Sequence, residues 1–182
     1  MKKKIYWGFG IALVVVIGIA AYSAFSSRRV SPTQVMEFKH DGLEIKVTYC
    51  RPSKKGRTIF GANSSDVLLP YGHYWRLGAN ESTEISFSKD VDFAGQPVSA
   101  GTYRMYAVPG EDSWQITLNN QLGTWGSDLP DNAMDVVTVE VPVGEAPTET
   151  EQFTINFGSA GSSTTMDLVW DNTLVSVPIT IQ

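Results

Sequence analysis

Leu43-Glu44-Ile45-Lys46-Val47-Thr48-Tyr49 alternates apolar and polar side chains without a break. Successive side chains of a strand point to opposite faces, so Leu43, Ile45, Val47 and Tyr49 share one face and the charged residues take the other. The same period of two recurs at Trp114 to Leu118, Val137 to Val141, Phe153 to Phe157 and Met166 to Trp170, and helical spacing is nearly absent after residue 30. Further strands are expected over Val35 to Lys39, Glu84 to Ser88 and Thr102 to Val108. Val175 to Ile181 closes the chain, and Pro178 inside it predicts an edge strand, where a missing N–H costs no ladder bond. Phe93-Ala94-Gly95-Gln96-Pro97 reads as a hairpin tip, with further turns at Pro109 to Asp112 and Val143-Gly144-Glu145-Ala146-Pro147. Roughly nine or ten short strands at this spacing predict an all-β fold, an antiparallel β-sandwich or jelly roll.

The N-terminus has a different character. Lys2, Lys3 and Lys4 precede an uncharged run of 21 residues from Ile5 to Phe25. As a helix it would reach about 31 Å, the hydrocarbon thickness of a bilayer. The expected organisation is a cytoplasmic tail at 1–4, a transmembrane signal anchor at 5–25, a linker at 26–34 and the sandwich at 35–182. The lipid bilayer is then a partner through residues 5–25, and the Lys-rich tail keeps the short end cytoplasmic and the sandwich periplasmic. Secretion after signal cleavage near Ser23 is the alternative.

Beyond residue 29, nine Lys and Arg face all 19 carboxylates, a net charge of −10. The cations gather at Arg51, Lys54, Lys55, Arg57 and Arg76, and none follows Arg104. Such a domain repels phosphate everywhere except one small patch, which argues against nucleic acid. A small anion or an acidic partner surface suits that patch. The single Cys, Cys50, excludes an internal disulfide and reads as a small space-filler. His40 and His73 have no zinc-type spacing, so no metal is expected. No Gly-x-Ser-x-Gly elbow or phosphate loop is present, and no cofactor is implied.

The one stretch that escapes the strand pattern runs from Gly61 to Asn80, and long loops in small domains are usually functional. With the basic run before it, this loop supplies the candidate binding residues Arg51, Arg57, Tyr71, His73, Trp75, Arg76, Asn80 and Glu81. Trp125 joins them from the loop Leu122-Gly123-Thr124-Trp125-Gly126. Arg57 and Arg76 are read as anion donors and Trp75 as a stacking wall. Alternation carries Arg51 and Glu81 inward at strand ends, which predicts that Glu81 pairs with Arg51 or Arg76. Trp114 and Trp170 alternate with aliphatics and read as core.

These residues also carry a resemblance. Arg51-Pro52-Ser53-Lys54-Lys55-Gly56-Arg57, Ile59-Phe60-Gly61, Pro70-Tyr71-Gly72, Trp75-Arg76 and Gly78-Ala79-Asn80-Glu81 resemble family 2911 of the bacterial domains of unknown function. Ala100-Gly101-Thr102-Tyr103, Trp125-Gly126 and Glu151-Gln152-Phe153 extend the likeness from about residue 35 to the end. The resemblance implies an exported, mostly β domain of Bacteroidota, with no established activity or catalytic residue to carry over. The expected function is a non-catalytic binding or accessory module for a small anionic or glycan ligand or an envelope protein. The alternatives are a hydrolase using Glu81 with Arg51 or Arg76 assistance, or a structural subunit of a membrane complex with an apolar surface patch.

Overall fold

The computed structural model describes residues 14–19, 22–23, 26, 30–161 and 163–182. The strand that decides the fold behaves as its alternation demands. In β2 (Leu43–Cys50), Leu43, Ile45, Val47 and Tyr49 are buried while Glu44 and Lys46 face water. Asp41 and Gly42 join it to β1 (Thr33–His40), both at positive φ (49° and 75°), as a tight two-residue hairpin of matching twist requires.

Nine strands form one antiparallel sheet in the order β1-β2-β5-β8-β9-β10-β11-β6-β7. Its remaining members are β5 (Thr83–Phe87), β6 (Val91–Phe93), β7 (Gln96–Val98), β8 (Gly101–Val108), β9 (Ser113–Asn119), β10 (Asp135–Ala160) and β11 (Ser163–Ile181). The sheet becomes a sandwich because β10 serves both layers. Residues 135–142 of β10 pair with β9, and residues 143–160, with two register shifts, pair with β11. The layers meet through aromatic contacts. Tyr49 meets Phe153 edge-on at 5.6 Å, Phe38 stacks on Phe157 at 5.2 Å, and Phe87 meets Phe93 at 6.1 Å. Each aromatic or branched side chain fully buried there contributes about 1.5–3 kcal/mol.

Three expectations need correction. Val143 to Pro147 is not a turn: Val143, Gly144 and Glu145 stay paired with Val175, Leu174 and Thr173. Gly144 stays in register opposite Leu174, and Pro147 is accommodated by register shifts between residues 145 and 154 within the pairing to β11. The turn that does join β10 to β11 contains Gly161, at φ 61°. Pro178 is not on an edge, since β11 lies between β10 and β6. Its carbonyl accepts from the Ala94 N–H at 2.8 Å, so its own missing donor falls at the end of the β6 ladder. Part of the Gly61–Asn80 excursion is regular, because β4 (Val67–Pro70) pairs in parallel with β3 (Thr58–Gly61).

The expected membrane span at 5–25 lies largely outside the described residues. Among the described residues no helix is long and apolar enough to cross a membrane.

Candidate functional site

The basic run after β2 is tied down by the crossing segment of β10. Arg51 does reach inward, but its Nε donates to the Phe153 carbonyl at 3.2 Å and its Nη2 to the Thr154 hydroxyl at 2.7 Å. Among the described residues no ion pair joins Glu81 to Arg51 or Arg76, contrary to expectation, and Arg51 crosses the core to the opposite layer instead. The ion-pair clamp is made by Lys54, whose Nζ lies 2.7 Å from Asp171 and 2.8 Å from Glu149. Hydrogen bonds to Asp171 first and Glu149 second push its pKa up to about 12. The Lys55 backbone N–H donates to the Glu151 carboxylate at 3.0 Å. Arg57 folds back on its own loop, donating to the Lys54 and Ser53 carbonyls at 3.0 and 2.6 Å.

These anchors shape a pocket of about 350 Å³. Lys55, Arg57 and Arg76 line it together with Leu69, Trp75 and Trp170, and among the described residues no carboxylate borders it. Among the described residues the Arg76 guanidinium makes no hydrogen bond or ion pair, and neither does the Lys55 ammonium. The site is electropositive and has donors to spare.

Its floor is aromatic and rigid. The Trp75 ring lies 4.8 Å from Phe153, 5.5 Å from Trp114, 5.6 Å from Phe60 and 5.8 Å from Trp170, between ring centroids. Trp75 is only 3% exposed and Trp170 only 2%, so neither offers an open face for stacking. The reading of Trp75 as a stacking wall is therefore corrected. Its Nε1 donates to the Gly78 carbonyl at 3.2 Å, and its backbone exchanges two hydrogen bonds with Ala107.

Backbone strain concentrates around the same hollow. Lys55, Leu77 and Asp171 sit at φ 51°, 51° and 56°, each lining the pocket or next to a lining residue. Positive φ is uncommon outside Gly and costs about 1–3 kcal/mol for each residue held there. Leu77 is held by the Thr83 hydroxyl, which donates to its carbonyl at 2.6 Å. Gly78, at φ 150°, has no room for a side chain, since a Cβ would stand 2.7 Å from the Cys50 carbonyl oxygen.

The other candidates lie elsewhere. Glu81 lines a separate hollow of about 260 Å³ with Tyr49, Cys50 and Ser82, its Oε2 3.5 Å from the Cys50 sulfur. Asn80 is buried, at φ 56°, and donates to the Ser31 carbonyl at 3.2 Å. Tyr71 ties its backbone N–H to the Gly61 carbonyl, and the exposed His73 ring contacts the Tyr71 carbonyl at 3.0 Å. Trp125 is 39% exposed beside Gly126, over which the Arg76 chain passes so closely that a Cβ would come within 2.4 Å of its Cδ.

Sequence reasoning missed Trp170 as part of the floor and Lys54 as the clamp. Lys54 is visible only as part of a basic run, because its partners lie 95 and 117 residues away. Arg104 was also missed. It is completely buried on the outer face of β8 and donates to the Thr124 and Tyr74 hydroxyls and the Asp128 carbonyl. The signal is its place between Thr102 and Tyr106, on the strand face opposite Tyr103 and Met105.

No curated protein and no solved structure matches this chain. A family model described as "Protein of unknown function (DUF2911)" matches residues 31–179, from just before β1 to near the end of β11. With that match spanning the whole sandwich, the chain belongs to this family of proteins of unknown function.

Proposed function

We propose that the domain is a non-catalytic binding module whose strained, basic pocket takes a small organic anion with an apolar body. The observation that carries this reading is the Arg76 guanidinium, half-buried beside the pocket with no hydrogen bond or ion pair among the described residues. A desolvated guanidinium is retained where a planar anion completes it. Lys55 and Arg57 add positive charge, and Leu69, Trp75 and Trp170 provide apolar contact. Trp75 and Trp170 are too buried to offer a ring face to a stacked sugar, which favours such an anion at this place. The hydrolase alternative loses support, because Glu81 lines a different hollow from Arg76 and Arg51 is committed to Phe153 and Thr154. In this reading the module is held at a membrane by residues 5–25 with the sandwich on the periplasmic side, as the Lys-flanked apolar run suggests.

Calorimetric titration of the full chain with benzoate, in wild type and Arg76→Gln, tests the pocket. A charge-assisted hydrogen bond is worth about 1.5–3 kcal/mol, so the variant should bind about 10-fold or more weaker at an unchanged melting temperature. Absence of binding by the wild type, or equal binding by both, would sink the reading.

A further inference from the structure

On the outer face of the sheet, Tyr106, Thr117 and Thr138 form a row across β8, β9 and β10. The Thr117 and Thr138 hydroxyls are hydrogen-bonded at 2.9 Å. A hollow of about 370 Å³ opens over this row, with Gln115 and Asp135 along the strands and Tyr74 and Asn132 at its margins. This is a different place from the basic pocket and has the opposite character. Among the described residues its sole charged lining group is the Asp135 carboxylate.

The polar groups there are positioned from beneath. Asp135 Oδ1 accepts from the Tyr106 hydroxyl at 2.8 Å and from the buried Asn119 amide at 2.7 Å. Its Oδ2 has no donor among the described residues. The Gln115 and Asn132 amides make no hydrogen bond among the described residues either. Tyr74 is fixed by Arg104, whose Nη2 donates to its hydroxyl at 2.7 Å, while that hydroxyl donates to the Gly126 carbonyl at 2.9 Å. The two tyrosine rings lie 5.5 Å apart, inclined at 53°. Burying Arg104 with no carboxylate, and with its Nε unpartnered, is costly. Its hydrogen bonds to Thr124 and Asp128 also hold the loop beside the hollow.

We infer that this hollow is a second binding site, for a neutral polyhydroxylated ligand of the sugar class. Two free amides and a free carboxylate oxygen offer both donors and acceptors to hydroxyl groups, and the phenol rings supply the apolar contact that sugar C–H groups need. The lack of any lining cation excludes the anion expected at the first pocket.

Saturation-transfer NMR on the full chain, with glucose, galactose, N-acetylglucosamine and cellobiose each at about 10 mM, tests this directly. At least one should receive magnetisation, and the double variant Gln115→Ala/Asn132→Ala should weaken it by about tenfold or more. Both residues are exposed, so the variant should keep the wild-type melting temperature. Asp135→Asn should also weaken binding, and Arg76→Gln should leave it unchanged, which separates this site from the basic pocket. Silence from all four sugars, binding that survives the double variant, or loss of binding in Arg76→Gln would each overturn the inference.

Discussion

Replacing Gly78 by Ala probes the junction between the strained loop and the sandwich. Gly78 sits at φ 150°, a conformation that costs an L-residue about 1–3 kcal/mol. The new methyl would also stand 2.7 Å from the Cys50 carbonyl oxygen and 3.4 Å from the Cys50 nitrogen and the Thr83 Oγ1. The nearest of these atoms is backbone at the end of β2 and cannot swing aside. Thr83 is committed to the Leu77 carbonyl at 2.6 Å, which resists movement of the loop. Relieving such an overlap typically costs another 1–3 kcal/mol or so. One shift relieves part of both penalties, so the expected loss is about 2–4 kcal/mol, or roughly 4–16 °C in melting temperature for a domain of this size. Urea denaturation measures it, with the midpoint falling at unchanged slope. Gly72→Ala is the control, since Gly72 also has positive φ (77°) but nothing within 4 Å of its Cβ position. It should lose only the backbone part. Equal losses at the two positions would refute the close packing of the loop against β2.

Tyr49→Phe removes the acceptor of the buried Ile155 N–H, 2.9 Å away across the layers, and should cost about 1–3 kcal/mol in the same urea assay. A loss below about 0.5 kcal/mol would mean that the bond is not made. The alkaline limb of stability should be steep. Burial, and then its bond to Asp135, push Tyr106 up to about 12 from 10.0, and ion pairing lifts Lys54 to about 12 from 10.5. Both folded values are raised, so both contributions are intact below about pH 10 and are lost as pH climbs towards 12. Tyr106→Phe and Lys54→Met should each flatten that decline, and a wild-type profile level from pH 10 to 12 would contradict both assignments.

Much of the architecture is legible in the sequence because each strand carries its own period of two. Trp114 and Trp170 were placed in the core by alternation alone, and both are buried. Long-range pairing is what the chain does not show. Gly144 and Pro147 announce a turn by local chemistry, but pairing with Thr173 to Val175 keeps the strand running and the irregularity becomes a bulge. The candidate site was legible in the same partial way. Arg57, Trp75 and Arg76 do line one pocket, because they lie on two loops that β10 and β2 pin together. Arg51 and Glu81 both occupy strand ends near the core, but their actual neighbours depend on how the layers are stacked, and alternation carries no information about that. Arg104 looks like a solvent-facing residue until the loop from residue 120 onwards is laid over it.

Because β10 belongs to both layers and β11 comes last, the order in which the chain becomes available matters to its assembly. β6 can pair with β11 only when Ile179 to Ile181 reach Val91 to Phe93, 86 to 90 positions earlier in the chain. The Tyr49–Ile155 bond spans 106 positions. Until those late segments arrive, the early hairpin of β1 and β2 has one apolar face and nothing to cover it. Folding dominated by such distant contacts is slow, and it leaves half-formed sheets open to neighbours. A partly made chain therefore carries that face uncovered, and a holding chaperone present during refolding should raise the yield of folded domain.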